Sequence, residues 1–441
     1  MTRGLIVGAA RSGAGKTAVT LGLVAALRAR GLRVGVAKAG PDYLDTRLLG
    51  RAARRPAFNL DAFLTGRDGP ARSLALAARG ADVVIAEGAM GLLDGAPTAS
   101  TPPVASSAHL ARTLGLGLVL VLDATSTAQT VGAVALGLAT ASGVAPLGVI
   151  ANRVRSAHHG DLVAEGLARV GIALLGHIAE GALDGLAQRH LGLVDPSELD
   201  GFDAWLERAR YVVEESVDLE ALVRRAPELR LVDPELGEAR SRVPVALSVG
   251  PSARFRYEEN LLRLEAAGAE LLPFDPLEEV PDPHARLLWL HGGYPEHYQA
   301  ALADNGPLWP ALRRAANEIT VIAECGGYAL LARSLEGSQM AGVVPVAMRL
   351  GSRPVLGYRS ARLVDGPFGA RSLPAHEFHY LVPEDDPGEI DVVDARGEPR
   401  PGGVVSPRLL ASFLHFHLGV DPGLAGDLLR RAGGGGSSET A

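Results

Sequence analysis

Gly4-Leu5-Ile6-Val7-Gly8-Ala9-Ala10-Arg11-Ser12-Gly13-Ala14-Gly15-Lys16-Thr17 opens the chain as a short apolar strand running into a glycine turn. Ala18 to Arg30 then spaces Val19, Leu23, Ala26 and Leu27 as a helix does, and Gly31 supplies a stop. Strand, glycine turn and helix in that order are the setting of a phosphate loop. Glycines at 13 and 15 let backbone N–H groups turn toward phosphate oxygens, and the helix adds its N-terminal dipole. On this reading Ser12, Gly13, Ala14, Gly15, Lys16 and Thr17 hold ATP, with Lys16 at the β/γ-phosphates and the Thr17 hydroxyl on Mg²⁺. The strict pattern has glycine where this chain has Ala10, so the loop is a variant.

Further aliphatic runs follow at Val34 to Ala37, Asp82 to Ala86, Leu116 to Asp123, Leu147 to Ala151 and Ala173 to Gly176. Continuous runs of this kind suit a parallel sheet covered on both faces. Helical stretches at Ala71 to Arg79, Gln129 to Ala141 and Asp161 to Val170 fill the crossovers. The expected fold is α/β, with a doubly wound phosphate-loop domain over residues 1–194 and its ligand at the carboxyl ends of the strands. Acids after those strands are candidate metal and substrate groups: Asp42 and Asp45 after the second, Glu87 and Asp94 after the third. Glu87 directly after an aliphatic strand resembles the acid that orders Mg²⁺ in phosphoryl transfer. Acids in such places also serve as helix caps and turn formers.

Residues 195–242 read as a connecting segment, with an acidic amphipathic stretch from Phe202 to Val223 and an Arg- and Pro-punctuated run after it. A second α/β series occupies 243–432, and the glycine- and serine-rich residues 433–441 read as a disordered tail. Within the second series, strand Ile319 to Ala323 runs into Cys325, with a helix read from Gly327 to Leu335. Small residues on a strand-to-helix turn permit the strained backbone of a nucleophile elbow, and the helix terminus favours thiolate. His415 is the candidate base. Backbone N–H groups of Gly293 and Gly326 are the candidate oxyanion hole. His415-x-His417 also has the look of a metal pair, which no further Cys/His cluster supports.

Composition narrows the class. The 441 residues carry a net charge of −7, which disfavours a nucleic-acid surface. A single cysteine excludes an internal disulfide and fits a reducing, cytoplasmic setting. The apolar run Leu114 to Leu122 falls short of the roughly 20 residues a membrane crossing takes, so no membrane partner is expected.

Taken together, the motifs resemble the cobyrinate a,c-diamide synthase family. The resemblance rests on Ser12 to Thr17, Lys38-Ala-Gly-Pro-Asp-Tyr-Leu-Asp45, Asn59-Leu-Asp61, Glu87-Gly-Ala-Met-Gly-Leu-Leu-Asp-Gly95 and Gly148 to Val154. Arg189 to Leu193, Gly292 to Glu296, Ala323 to Gly327, His376-Glu-Phe-His379 and Ala411 to His417 extend it. It implies an N-terminal synthetase domain similar to dethiobiotin synthetase and a C-terminal class I-like glutamine amidotransferase domain. It implies ATP-dependent amidation of the a- and c-acetates of cobyrinic acid with ammonia from glutamine, through acyl phosphates. Hydrogenobyrinate and nickel-sirohydrochlorin are the sibling substrates. Cys325 becomes the thiol nucleophile and His415 its base. Thr17, Asp42 and Glu87 hold Mg²⁺, while Tyr43, Leu44, Asp45 and Asp94 face the substrate.

In this subclass the third triad member, a glutamate two residues after the histidine, is missing, and here His417 stands there. The chain departs from the family pattern at Ala18, at Thr46 to Leu49, and at Gly250-Pro-Ser-Ala-Arg-Phe-Arg-Tyr257, where an aspartate and two aromatics are replaced. Partners are then small molecules, with a homodimer left open. The rival of another class is a phosphate-loop ATPase acting as a switch or scaffold with an inactive glutaminase half.

Overall fold

The computed structural model describes residues 1–96, 101–186, 201–239 and 242–434. They divide into two compact units, Met1–Pro234 and Glu235–Ala441. The Arg189 to Leu193 motif and residues 435–441 of the expected tail lie outside the described residues.

The first unit alternates strand and helix: β1 (Arg3–Ala9), α1 (Lys16–Ala29), β2 (Val34–Ala39), α2 (Leu44–Ala53), β3 (Ala57–Leu60), α3 (Gly69–Ala78) and β4 (Val83–Glu87). It continues through α4 (Ser107–Leu114), β5 (Gly117–Asp123), α5 (Thr130–Ser142), β6 (Pro146–Val154), α6 (Ala157–Arg169) and β7 (Leu174–Ala179). The strands pair in parallel in the order β3-β2-β4-β1-β5-β6-β7. Leu5, Ile6, Val7, Val83, Val84 and Ile85 are all fully buried, which is why these strands lack polar alternation. β1 sits between β4 and β5, so the winding direction reverses there and the loop after β1 opens at the switch point.

Two helices, α7 (Phe202–Ser216) and α8 (Leu219–Arg225), lie within the segment expected as a connector, and the first compact unit runs on to Pro234. The amphipathic face of α7 buries Phe202, Trp205, Leu206, Ala209 and Val213 in the first unit's core with Leu21, Leu23 and Val24 of α1. A Cβ at Gly22 would lie 2.6 Å from Val213 Cγ2 and 3.0 Å from the Ala209 carbonyl, so small residues set this close helix approach. The next segment is stitched to the start of β1: Gly4 N–H donates to Pro227 O at 3.0 Å and Leu229 N–H to Thr2 O at 2.9 Å. The unit therefore ends near 234. The cause is tertiary packing that composition does not encode.

The second unit begins with β8 (Val243–Ser248), α9 (Glu258–Ala266), β9 (Ala269–Phe274), β10 (Leu287–Leu290), α10 (Gln299–Asp304), α11 (Leu308–Glu318), β11 (Thr320–Glu324) and α12 (Gly326–Leu331). Two short strands, β12 (Ser334–Leu335) and β13 (Ser338–Gln339), precede the long pair β14 (Ala347–Leu363) and β15 (Arg371–Glu384). The chain closes with β16 (Asp391–Asp394), β17 (Pro399–Arg400), β18 (Val404–Ser406), β19 (Leu409–Ser412), β20 (Leu414–Phe416) and α13 (Leu424–Ala432). One sheet runs β18-β19-β11-β10-β8-β9, parallel apart from the β18–β19 pair. The other centres on the antiparallel β14–β15 ribbon, which carries β20 along its edge. This ribbon was not read from sequence. A register shift between Leu350 and Val355 breaks the period-2 signal that would have marked it. The helix read from Gly327 to Leu335 is shorter, ending at Leu331 before β12.

Candidate active sites

In the first unit the loop between β1 and α1 is held from below by the ends of two other strands. Gly13 and Gly15 take φ of 76° and 93°, as the turn demands of glycine. Asn152 Nδ2 donates to Ala14 O at 3.0 Å, and a Cβ on Gly15 would lie 2.2 Å from that same nitrogen. Arg153 Nη1 donates to Gly13 O at 3.1 Å and to Asp123 Oδ2 at 2.7 Å, while Arg11 Nη2 reaches Asp123 Oδ2 at 2.8 Å. Sequence reasoning missed this brace. Its signal was the polar Asn152-Arg153 pair at the end of an aliphatic strand.

Lys16 is 7% exposed and its ammonium donates to the carbonyls of Met90 and Arg11. Burial lowers its pKa and the Lys38 ammonium lowers it further, against the pull of Glu87, Asp45 and Asp94. Thr17 Oγ1 donates to Glu87 Oε1 at 2.7 Å. Glu87 Oε2 is buried without a hydrogen-bond partner among the described residues. Lys38 Nζ sits 2.9 Å from both Glu87 Oε1 and Asp45 Oδ2. Burial opposes its charge, and Asp45, Glu87 and Asp42 outweigh burial and raise its pKa. Five polar groups from three strand ends thus converge: Lys16, Thr17, Lys38, Asp45 and Glu87.

The other expected residues fall beside this cluster in bracing roles. Asp42 Oδ1 accepts the N–H groups of Leu44 and Asp45 at 2.9 and 2.6 Å, capping α2. Asp94 Oδ2 accepts Gly91 N–H at 2.7 Å and folds the loop after β4. Tyr43 and Leu44 are buried. Among the described residues no cluster of three or more His, Cys, Asp or Glu side chains is arranged to hold a metal ion.

The second unit builds its site around a glycine. Cys325 closes β11 with φ 52° and ψ −107°, the strained turn of an elbow, and is 2% exposed. A Cβ placed on Gly292 would lie 2.3 Å from His415 Cε1, 3.1 Å from His415 Nε2 and 3.1 Å from Cys325 Cβ. Cys325 Cβ and one edge of the imidazole therefore both crowd this backbone, and no side chain fits there. Burial pushes the Cys325 thiol pKa well up, with Glu296 and Glu324 adding to the rise. Backbone hydrogen bonds from Gly293 and Gly326 work against it. These two amides are the pair named above as an oxyanion hole. His415 is held well below its ordinary pKa by burial, with His376, His379 and His291 reinforcing the effect, so it rests as a neutral base.

The His376-Glu-Phe-His379 stretch lies on β15 directly beside β20, with His376 opposite His415. Cys325 Sγ is 3.4 Å from the Phe378 carbonyl oxygen. His379 Nε2 meets Glu377 Oε1 at 2.9 Å, Arg359 holds the other Glu377 oxygen, and the His379 ring stacks on Phe413 at 3.7 Å. The segment that departs from the family pattern still lines this site. Phe255 N–H donates to Gly292 O at 2.9 Å, its ring meets Tyr294 edge-on at 4.9 Å, and Tyr257 lies 4.6 Å from His417.

His417 does not join His415 in a metal pair. Its Nδ1 accepts Gly419 N–H at 3.0 Å and its Nε2 faces Glu259 Oε2 on α9 at 4.0 Å.

Comparison with known proteins finds relatives for both units. Residues 5–190 match the CobQ/CobB/MinD/ParA nucleotide binding domain, and residues 245–422 match the CobB/CobQ-like glutamine amidotransferase domain. The chain is 39% identical to the hydrogenobyrinate a,c-diamide synthase of Rhodobacter capsulatus, over 95% of this chain and 99% of that one. It is 37% identical to the enzyme of the same name from Stutzerimonas stutzeri, over 97% and 98%. It is 36% identical to the cobyrinate a,c-diamide synthase of Syntrophotalea carbinolica, over 96% of each. A phosphate-loop domain and a glutamine amidotransferase domain, both aligned along nearly the full length of these relatives, place the chain in the a,c-diamide synthase family.

Proposed function

We propose that this protein is a glutamine-hydrolysing amide ligase that converts the a- and c-acetate side chains of a cobyrinate-type macrocycle to amides at the expense of ATP, in cobalamin biosynthesis. The observation that carries this reading is the Cys325–Gly292–His415 arrangement in a chain whose other unit keeps Lys16, Thr17 and Glu87 around a phosphate loop. Metal-free hydrogenobyrinate is the first acceptor, in keeping with the names of relatives at 39%, 38% and 37% identity. Cobyrinate is the second, in keeping with relatives at 36% and 38%.

In the glutaminase half, Cys325 Sγ attacks the side-chain amide carbon of glutamine while His415 Nε2 takes the thiol proton. The Gly293 and Gly326 amides face the oxyanion. The C–N bond then breaks, His415 returns the proton to nitrogen, and ammonia leaves a glutamyl thioester. Water hydrolyses the thioester, releasing glutamate and restoring the thiol. Burial keeps His415 neutral at rest, so Nε2 carries a free lone pair for that proton.

In the synthetase half, a carboxylate oxygen of the acceptor attacks the γ-phosphorus of ATP and ADP departs, leaving an acyl phosphate. Ammonia adds to the acyl carbon and phosphate leaves, giving the amide. Lys16 exchanges the Met90 and Arg11 carbonyls for phosphate oxygens, whose negative charge offsets the burial that disfavours the ammonium. Lys38 holds Asp45 and Glu87 in place. The orphaned Glu87 Oε2 and the adjacent Thr17 hydroxyl fit Mg²⁺, with Asp42 the third group expected there, and the ion would neutralise charge on the phosphates. Among the described residues no helix is long and apolar enough to cross a membrane, and a cytoplasmic location is part of this proposal.

The test is amidation with ATP, Mg²⁺ and glutamine of hydrogenobyrinic acid, cobyrinic acid and nickel-sirohydrochlorin, with mass spectrometry counting the amides. Two amides on one of the first two rings is the expected result. Glutamine hydrolysis without any amide gained would overturn the acceptor assignment.

A further inference from the structure

Two positions after the base this chain carries His417 and not an acid, yet a base of this type works best when a third group orients it. We propose that Glu324, the residue immediately before the nucleophile, is that group: a positioning residue that acts through His415. The inference rests on the amidotransferase reading above and deepens it.

The geometry is that of a triad with the acid supplied from a new place. His415 turns its Nε2 edge to Gly292 and Cys325, and its Nδ1 lies 3.9 Å from Glu324 Oε2. Both side chains are almost fully buried, at 1% and 3% exposure. The other Glu324 oxygen accepts the Phe416 N–H at 2.9 Å, so the carboxylate also anchors the residue after His415. One side chain thereby fixes the backbone of β20 and faces the ring that β20 presents. The usual position of the acid is filled by His417, which is engaged with Gly419 and Glu259 on the α9 side.

Chemistry supplies the need. When His415 Nε2 accepts the Sγ proton it becomes cationic in a buried site, beside His376, His379 and His291, which all oppose that charge. A carboxylate 3.9 Å from Nδ1 favours the proton on that nitrogen, leaves Nε2 to accept, and offsets the charge when the imidazolium forms. Burial lifts the resting Glu324 pKa to about 8, so the carboxylate that this role needs predominates above that pH, where the assay is run, and the imidazolium favours it further.

The test is Glu324→Gln in the full chain, scored by glutaminase kcat and KM and by amidation driven with added ammonium. Glutamine at 324 keeps an oxygen for the Phe416 N–H and the same volume, and removes only the charge. The expected result is a kcat loss of about 10²- to 10⁴-fold with KM for glutamine unchanged and ammonium-driven turnover intact. Glu324→Asp, with its charge retained on a shorter arm, should recover part of that loss. Wild-type kcat in Glu324→Gln would overturn the proposal. His417→Gln gives an independent check. Its glutaminase should stay near wild type, and a kcat loss as large as that expected at 324, with KM and ammonium turnover intact, would move the role to 417. Failure of the underlying reading looks different: the wild-type chain would then hydrolyse no glutamine, or Cys325→Ala would hydrolyse it as well as wild type.

Discussion

Lys38 and Glu87 lie opposite each other on the neighbouring parallel strands β2 and β4, and the Lys38 ammonium bridges Glu87 to Asp45 at 2.9 Å on each side. Its side chain is 5% exposed, so a buried cation ties two carboxylates together beside the phosphate loop.

Replacing that lysine should therefore cost stability as well as activity. Lys38→Met leaves Glu87 and Asp45 without their cation and should destabilise the first unit by about 3–5 kcal/mol. Urea unfolding followed by Trp205, the tryptophan of that unit, measures it. An unchanged midpoint would show that the carboxylates find another partner or a proton.

Lys16→Ala removes the one ammonium that the loop presents to a triphosphate. Amidation should fall by about 10²–10³-fold with either glutamine or ammonium as nitrogen source. Retention of ammonium-driven rates would contradict the phosphate-loop assignment.

The glutaminase predictions separate by nitrogen source. Cys325→Ala should abolish glutamine-driven amidation and leave ammonium-driven amidation. Gly292→Ala inserts a methyl 2.3 Å from His415 Cε1 and should displace the base from the thiol. A shift of about 1 Å is worth roughly 10²-fold in rate, so glutaminase kcat should drop by that order with ammonium turnover kept. Steady-state kinetics with both nitrogen donors reads each outcome.

Stability of the second unit should pass through an optimum in pH. Burial holds His291 down to about 3 and His417 down to about 4. The unfolded chain protonates such rings below about 6.5, where the folded unit refuses the proton. Their contribution is present above that value and is lost as pH falls toward 4, by about 1.4 kcal/mol per pH unit for each ring. Glu296 and Glu324, lifted by burial to about 7 and about 8, act in the opposite sense. Their contribution is present at pH 4.5 and is lost as pH rises through 7 to 8. Thermal midpoints across pH 4–9 test this, and His291→Gln should flatten the acid limb.

What could be read from the chain alone was whatever chemistry is local. Ser12 to Thr17 and Cys325 each sit on a strand-to-helix turn, so the residues that define the site are neighbours in sequence. The Glu324–His415 relation joins residues that only the β11–β19 pairing and the turn into β20 bring together. The brace of Asn152, Arg153 and Asp123 under the loop has the same character, since three separate strands must align before it exists. Phe202 to Val223 was legible as amphipathic, but its destination was not. The contact of Gly22 with Ala209 and Val213 is a matter of fit between two surfaces, and periodicity carries no record of its partner.

That fit decides where the protein can be recombined. An exchange of synthetase halves between relatives that cuts at residue 194 would strip α7 from α1 and bare an apolar seam along Leu21, Val24, Leu206 and Val213. A chimera joined after residue 234 carries its own cover, and its first half inherits a complete core whatever amidotransferase follows it.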